Sequence, residues 1–424
     1  MSVASDPNRS RMKQTFFRPV ARAGAASLLV LALAGSFAGQ ALAQDALRPE
    51  VGRPLQAAQE LIKAQKFKEA LAKVRDADAV GGKSANESFM VERMRIAAAS
   101  GAGDMDTAAR AFEAISGSPK VSAAEKTRML ESIAGGYYRS GAYAKAMQWA
   151  QRYFKEGGTN GAIRTLLVQS QYLSGDYAGA AKELMAEVQA SEKAGSAPPE
   201  DRLKLLLNAT LKQNDNNAYV YAVEKLVTYY PKKEYWVDLL SRLQRKPSFS
   251  DRLVLDVDRL ALATGSLSSA NDYMEMAQLA VQAGFPAEGK SVVDKGFAAG
   301  ILGVGAEAER QKRLRDLVLK RLEENKAAQP EEEKAALAAK DGTALVNVGL
   351  NLVFSGQAAR GIPLMQQGIA KGGMKRPEDA KLHLGVAYVV AGDNAKAQAT
   401  FKTVGGADGT ADLARLWALY ARRK

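Results

Sequence analysis

The chain has no cysteine and a single histidine among its 424 residues. Without cysteine it forms no disulfide, and it lacks the residue that carries the lipid anchor of a bacterial lipoprotein. One histidine, His383, cannot build a histidine metal cluster, and it argues against Ser-His-Asp or Cys-His catalysis. His383 is therefore expected to pack or to donate a hydrogen bond within a helix pair.

Phosphate-binding loops are also missing. No Gly-x-x-x-x-Gly-Lys-Ser/Thr run occurs, which argues against a nucleotide phosphate loop. Gly300, Gly303 and Gly305 follow a predicted helix and not a strand, so they do not form a dinucleotide site. Carboxylate pairs occur everywhere among 46 acidic residues, and their spacing says nothing about hydrolase chemistry. The sequence therefore predicts a protein that is not an enzyme, with no catalytic residues, no cofactor and no metal site.

Basic residues exceed acidic residues, 59 to 46, for a formal charge of +13. The first 43 residues contribute +4 of this, so the rest of the chain carries about +9. A basic surface attracts anionic lipid, polysaccharide or nucleic acid, although nucleic acid is not expected as a partner of an exported protein. The same excess also suits a soluble protein surface, and both interpretations stay open.

The first 43 residues have the order of a secretory signal peptide. Basic residues precede an uncharged run with the apolar core LLVLALA, and the small residues at 41–43 form a cleavage site. The run is shorter than the roughly 20 apolar residues of a membrane-spanning helix, so cleavage is expected and not retention as an anchor. A complete signal can begin at Met1 or at Met12. The mature chain is predicted to be periplasmic, exported by a Sec-type route, without a lipid anchor or a membrane span.

The most informative stretch of the chain is 384–401, LGVAYVVAGDNAKAQATF. Gly385 and Tyr388 precede a Gly-Asp turn, and Ala397 and Phe401 follow it. The small residues allow two helices to approach, and the aromatic residues fill the space between them and the next unit. This spacing predicts two antiparallel helices around a tight turn.

The same arrangement recurs along most of the chain after residue 50. A small residue opens the second helix of each predicted pair at positions 70, 108, 146, 180, 222, 289, 361 and 397. The gaps are 38, 38, 34, 42, 67, 72 and 36 residues. The two long gaps are each close to twice one repeat, so a degenerate repeat is expected inside each. A fixed period in this range is typical of a solenoid.

On these residues the chain resembles the tetratricopeptide repeat (TPR) family, as an exported bacterial TPR-containing protein. The resemblance implies an all-α, right-handed α-solenoid of about nine to ten helix-turn-helix repeats. A capping helix at 411–421 is expected to close it. The predicted organisation is a cleaved signal peptide at 1–43, TPR-like repeats at 44–194, degenerate repeats at 200–304, and a charged helix pair, further repeats and the cap at 305–424.

The charged pair consists of a predicted helix at 307–325 and a second one at 329–340. Basic residues are frequent in the first of them, which suits an anionic partner. Acidic residues at spacings of four also suit a solvated helix that forms its own ion pairs.

In the TPR family, the first helix of each pair lines a concave surface, and that surface is the usual peptide site. Polar residues predicted to face it include cations and tyrosines, which are frequent in binding hot spots. The candidate ligand-binding residues are Arg93, Arg128, Tyr138, Arg139, Tyr172 and Lys204.

Towards the C-terminus the same phasing predicts an apolar concave stripe. An exposed apolar stripe is typical of a groove for an amphipathic helix or an extended segment. The alternative is that the solenoid curls tightly there and that its own capping helix covers the stripe. The candidate partner-binding residues are Val346, Leu350, Phe354, Val386 and Val390.

The sequence predicts a non-enzymatic periplasmic scaffold that binds one or more envelope proteins or peptides. The alternative is a module that binds an anionic polysaccharide or a cell-wall polymer through its Arg/Lys-lined surface. A carboxylate hydrolase is the least supported function, because a helical solenoid offers no obvious closed pocket.

Overall fold

The structure is a computed structural model that describes residues 46–423. Within that range the chain is helical, with 20 α-helices, one short 3₁₀ helix and no strand. The predicted signal peptide and its two possible start residues, Met1 and Met12, lie outside the described residues. The all-α fold class predicted from the sequence is confirmed.

The chain divides into two compact units, Met1–Tyr219 and Val220–Lys424, called unit 1 and unit 2 below. The helices of unit 1 are α1 (Pro49–Lys63), α2 (Phe67–Asp78), α3 (Ala85–Ala102), α4 (Met105–Ile115), α5 (Ala123–Arg139), α6 (Tyr143–Lys155), α7 (Gly161–Ser174), α8 (Tyr177–Lys193) and α9 (Glu200–Gln213). The next helix, α10 (Asn216–Tyr229), contains the boundary.

Unit 2 continues with ten further α-helices, and its 3₁₀ helix is Asp251–Leu253. The α-helices are α11 (Lys233–Gln244), α12 (Val254–Thr264), α13 (Ala270–Gln282), α14 (Pro286–Ala298), α15 (Ala308–Ala338), α16 (Thr343–Phe354), α17 (Ala358–Lys371), α18 (Pro377–Val390), α19 (Asn394–Phe401) and α20 (Thr410–Ala421).

Short polar side chains begin several of these helices. Ser84 and Glu87 form a reciprocal capping box at the start of α3. Asp104, Ser122 and Asp176 each accept a hydrogen bond from a backbone N–H of the first turn of α4, α5 and α8. These caps satisfy backbone N–H donors that would otherwise have no partner at a helix start. They therefore fix the residue at which each of these helices begins.

A left-handed residue marks the turn inside each TPR-like hairpin. In unit 1 the turn residues include Gly103, Gly141 and Gly175, and in unit 2 they include Gly356 and Gly392, all with positive φ. A buried small residue follows five positions later in each of these hairpins, as the sequence predicted. These residues are Ala108, Ala146, Ala180, Gly361 and Ala397.

The fifth hairpin corrects the predicted register. Its left-handed turn residue is Asn214, with φ of 58°, so the position five residues later is Tyr219 and not the predicted Ala222. Tyr219 and Ala222 are both buried and lie about one turn apart on α10. Spacing from Ala180 is therefore 39 residues instead of 42. An Asn adopts the left-handed conformation more readily than most residues other than Gly, so Asn214 can occupy the turn position that glycine holds in neighbouring hairpins.

The two long gaps contain different structures. The first contains α11 and α12, a degenerate pair as predicted. The second contains one continuous helix, α15, and not the two charged helices predicted at 307–325 and 329–340. Pro330 lies inside α15 without ending it. Its cost, a missing backbone donor, is offset by strong helix formers on both sides, mainly Glu, Lys and Ala.

The tightest helix pair is α16 with α17, because glycines face each other along it. A Cβ added at Gly349 would lie 2.5 Å from the carbonyl oxygen of Gly361, and one added at Gly368 would lie 2.6 Å from that of Gly342. The two backbones therefore touch at two points, one near each end of the hairpin. Small residues were predicted to allow this approach, and Gly385 does the same against the Phe401 ring in α18 and α19.

We expect Gly361→Ala to lower the free energy of unfolding by at least about 2 kcal/mol, since the new methyl would collide with the backbone of α16. Gly161→Ala is the matched control, because no atom lies within 4 Å of its Cβ position and its φ is negative. The control should be neutral or stabilising by up to about 1 kcal/mol. Urea unfolding measures both. Equal midpoints for the two variants would contradict the close approach.

Candidate functional site

A row of polar contacts runs across the first helices of the unit 1 hairpins, and we call it the ladder face. Tyr138 of α5 donates its hydroxyl hydrogen to Oε1 of Gln169 on α7, at 2.8 Å. Tyr172 of α7 donates in the same way to Oδ1 of Asn208 on α9, at 3.2 Å. The two tyrosines lie 34 residues apart, so the repeat itself places them side by side.

Aromatic packing fixes the two ladder tyrosines. Tyr138 meets Tyr143 edge to face at 5.5 Å between ring centroids, and Tyr172 meets Tyr177 in the same way at 5.3 Å. Burial, with a smaller contribution from the neighbouring tyrosine, raises the pKa of both hydroxyl groups above the ordinary value. Both therefore remain protonated donors at neutral pH, and their rings present a rigid surface of low conformational entropy.

The structure separates the predicted cations of this face into two groups. Arg93 forms an ion pair with Glu125 on α5 at 2.7 Å, and Lys204 forms one with Glu200 on its own helix at 2.9 Å. Arg128 and Arg139 are exposed and form no ion pair within residues 46–423. The arginines with spare binding capacity are thus these two, which lie eleven residues apart on α5.

The shape near Arg139 is set by a glycine. A Cβ at Gly135 would lie 3.2 Å from Nη1 of Arg139, so the bare helix surface leaves room for the guanidinium group beside it.

Asn208 is the ladder residue that the sequence reasoning missed. Its signal was present, because it lies one repeat after Gln169, 39 residues along.

The predicted apolar groove of unit 2 is not open. Val346, Leu350 and Val386 are 3%, 0% and 2% exposed, and Phe354 is half-buried. Only Val390, at 51%, is exposed as expected. The prediction of an exposed stripe is therefore wrong for the buried residues. Helix α16 packs against α14, α15, α17 and α18, and the capping helix α20 packs against α18 only among the helices of the stripe.

The last helices of unit 2 fold back on its first ones. Helix α20 packs against α12, α18 and α19, and the backbone N–H of Ser250 donates to the carbonyl oxygen of Asp408 at 3.0 Å. Arg252 donates to both carboxylate oxygens of Asp379 at 2.8 Å and to Asp408 at 2.7 Å. These contacts join residues more than 120 positions apart.

A buried charge cluster lies inside the same closure. Arg259 of α12 donates to both carboxylate oxygens of Glu288 on α14, at 2.8 and 2.7 Å, and to Asp256 at 2.6 Å. Its guanidinium also lies 5.1 Å from the ring centroids of Phe285 and Phe354. All three charged residues are buried, so each depends on the others for its charge balance.

His383 of α18 completes this cluster. Its Nε2 lies 3.0 Å from Oδ1 of Asp256, which agrees with the prediction of a hydrogen-bonding histidine. Burial alone would raise the pKa of Asp256, but His383 and Arg259 outweigh it and hold that pKa below its usual range. The single histidine of the chain thus links α18 to α12.

The charged helix α15 forms its own ion pairs. Lys312 with Glu309, Arg321 with Glu324 and Lys326 with Glu323 each lie at 2.8 Å within one turn. This favours the solvated-helix interpretation over a dedicated anionic partner.

Within residues 46–423, no group of three acidic or histidine side chains could hold a metal ion, and no helix is both long and apolar enough to cross a membrane.

No protein-family model matches the chain, and no curated protein is similar to it. Among solved structures, a chain of the Naa15/Naa10 complex bound to HypK-THB shows 14% identity and a TM-score of 0.31, over 85% of this chain and 59% of that one. The yeast protein Tom70 shows 12% identity and a TM-score of 0.24, over 88% and 96% of the two chains.

The maize pentatricopeptide repeat protein PPR10 shows 11% identity and a TM-score of 0.29, over 86% of this chain and 61% of that one. The chain therefore spans about three fifths of the length of PPR10 and of the Naa15/Naa10 chain. Its TPR-like fold is evident in its own hairpins, with their left-handed turns and buried small residues.

We expect Glu288→Gln to lower the free energy of unfolding by about 3–5 kcal/mol, because it leaves the buried charge of Arg259 short of one counterion. Glu323→Gln is the matched control. The Glu323 side chain is 73% exposed and pairs with Lys326, so its loss should change the free energy by less than about 1 kcal/mol. Urea titration followed by circular dichroism compares them. A Glu288→Gln variant as stable as the control would show that the cluster does not hold unit 2 together.

Proposed function

We propose that the chain is a non-enzymatic scaffold that binds a protein or peptide of the cell envelope on the ladder face of unit 1. The observation that carries this proposal is that Arg128 and Arg139 are exposed and form no ion pair within the described residues, on the same helix as the rigid Tyr138. A guanidinium group binds carboxylates through two parallel hydrogen bonds, and Tyr and Arg are the residues that dominate binding energy at protein interfaces. The expected ligand segment is therefore extended and acidic.

The location belongs to the same proposal. The signal-like order of the first 43 residues supports export to the periplasm, where the mature chain would act without a lipid anchor. The proposed site offers hydroxyl, amide and guanidinium donors but no nucleophile paired with a base, which supports binding without catalysis.

The alternative ligand is an anionic polysaccharide or cell-wall polymer. It is favoured by the charge of about +9 on the chain after residue 43. It is disfavoured by the number of cations that already have a carboxylate partner, as in α15. Either ligand would bind through Arg128 and Arg139, so a variant of these two arginines tests both. The nature of the captured molecule then separates the two ligands.

We expect the double variant Arg128→Glu/Arg139→Glu to lose its partner in a crosslinking pull-down from the envelope fraction of the native organism, read by mass spectrometry. The control is Arg53→Glu/Lys68→Glu, which makes the same charge change at exposed positions of α1 and α2. One dominant protein, captured by the natural chain and the control but at least tenfold less by the double variant, is the expected result.

Two outcomes would count against the proposal. Equal capture by all three chains would mean that the ladder face is not the site. Retention of a glycan with no protein above background would replace the protein ligand with the anionic polymer.

A further inference from the structure

A cleft of about 440 Å³ lies on unit 1 between α2 and α4, with α3 behind it. Three arginines line it, one from each helix: Arg75, Arg95 and Arg110. Glu92 is the one carboxylate among its lining residues, and Ala111 and Ala114 belong to its wall. A volume of this size is within the range of about 300–1,000 Å³ typical of small-ligand sites.

This cleft is separate from the ladder face. Arg95 and Arg93 are two residues apart on α3, which places them about 200° apart around the helix. Arg93 reaches Glu125 on α5, whereas Arg95 faces the cleft with α2 and α4. The proposed scaffold function does not use these side chains.

The corresponding space one repeat further along the chain, between α4 and α6, shows why the cleft is open. We call the space between α2 and α4 the first interval and the space between α4 and α6 the second interval. Buried alanines at 70, 108 and 146 set a period of 38 residues in this part of unit 1. By that period Ala111 corresponds to Trp149 and Ala114 to Arg152. Between α4 and α6, therefore, two large side chains stand where the space between α2 and α4 has only two methyl groups.

Those larger side chains fill and neutralise the second interval. Trp149 meets Phe112 edge to face at 5.5 Å, and Arg152 lies 4.9 Å from the Phe112 ring. Arg152 also forms an ion pair with Glu113. By the same period, Glu113 corresponds to Arg75. The first interval therefore has an arginine at the position where the second interval has the carboxylate that pairs with Arg152.

Two of the three arginines of the cleft have no carboxylate at ion-pair distance within the described residues. Arg95 forms ion pairs with Asp78 at 2.6 Å and with Glu92 at 3.5 Å. Arg110 donates to the Thr107 hydroxyl at 3.1 Å, and neither it nor Arg75 forms an ion pair within residues 46–423. Burial raises the pKa of Glu92, the carboxylate among the lining residues of the cleft.

We propose that this cleft binds an organic acid, whose carboxylate or phosphate group is held by Arg75 and Arg110 and whose short apolar part lies against Ala111 and Ala114. Guanidinium groups recognise both kinds of anion through paired hydrogen bonds. The first interval has no counterpart of Trp149 and Arg152, which leaves space for a ligand. It also has no counterpart of Glu113, which leaves positive charge for the acid group of that ligand. The acid group can belong to a free small molecule or to an acidic side chain of a peptide.

The test is a ligand-observed NMR titration of the mature chain with hexanoate, inorganic phosphate and a blocked Leu-Glu-Leu peptide. Arg75→Gln and Arg110→Gln should each weaken hexanoate binding about fivefold or more. Ala111→Trp should abolish it by filling the cleft as Trp149 fills the next interval. Arg53→Gln, an exposed arginine of α1 outside the cleft, should bind as the natural chain does. Circular dichroism checks that each variant is folded.

Tighter binding of hexanoate than of the peptide would identify a free acid as the ligand, and the reverse would identify an acidic side chain. Both support the proposal if Ala111→Trp abolishes the binding. Equal binding of hexanoate by Ala111→Trp and the natural chain would overturn it, as would no detectable binding of any probe. If Ala111→Trp is unfolded, loss of binding in both arginine variants with a normal Arg53→Gln control decides in its favour, and unchanged binding decides against it.

Discussion

Close approach of two antiparallel helices is the constraint on which every hairpin of this chain depends. The approach is closest where one of the facing residues is small, because a larger side chain would hold the backbones further apart. Ala108 and Ala146 meet this condition in unit 1, and the glycines of α16 and α17 meet it most fully in unit 2. Once the pair is closed, its outer side chains are placed by the repeat, so the ladder tyrosines and the cleft arginines both follow from it.

The two units use charge in different ways. Unit 2 buries Arg259 with two carboxylates and a histidine, and this cluster joins helices that are far apart in sequence. A buried ion cluster of this kind adds little net stability compared with apolar packing, but removing one member is costly. Unit 1 instead leaves Arg128 and Arg139 in solvent. The buried charges around Arg259 in unit 2 therefore serve closure, whereas Arg128 and Arg139 of unit 1 are available for a ligand.

The hairpins were predictable from the sequence because their rules are local. A small residue, a turn and an aromatic residue at fixed spacing specify Gly385, Ala397 and Phe401 without any other part of the chain. The closure of unit 2 was not predictable, since it joins Arg252 to Asp379 across more than 100 residues and no local pattern encodes that pairing. Phasing by the turn glycines placed Tyr138 and Tyr172 on one face of the first helices, where each bonds to the next first helix, but it could not tell which cations already had a partner.

Site-specific photocrosslinking in living cells of the native organism tests the central claim most directly. One probe replaces Thr165, which is half-buried on α7 one turn before Gln169, and the other replaces the exposed Val390 of unit 2. Thr165 stands for the ladder face, and Val390 for the one exposed position of the predicted apolar stripe. If the ladder face is the binding surface, the probe at Thr165 forms a crosslink to another protein and the probe at Val390 does not. A partner captured only from Val390 would contradict the account and return the binding site to unit 2.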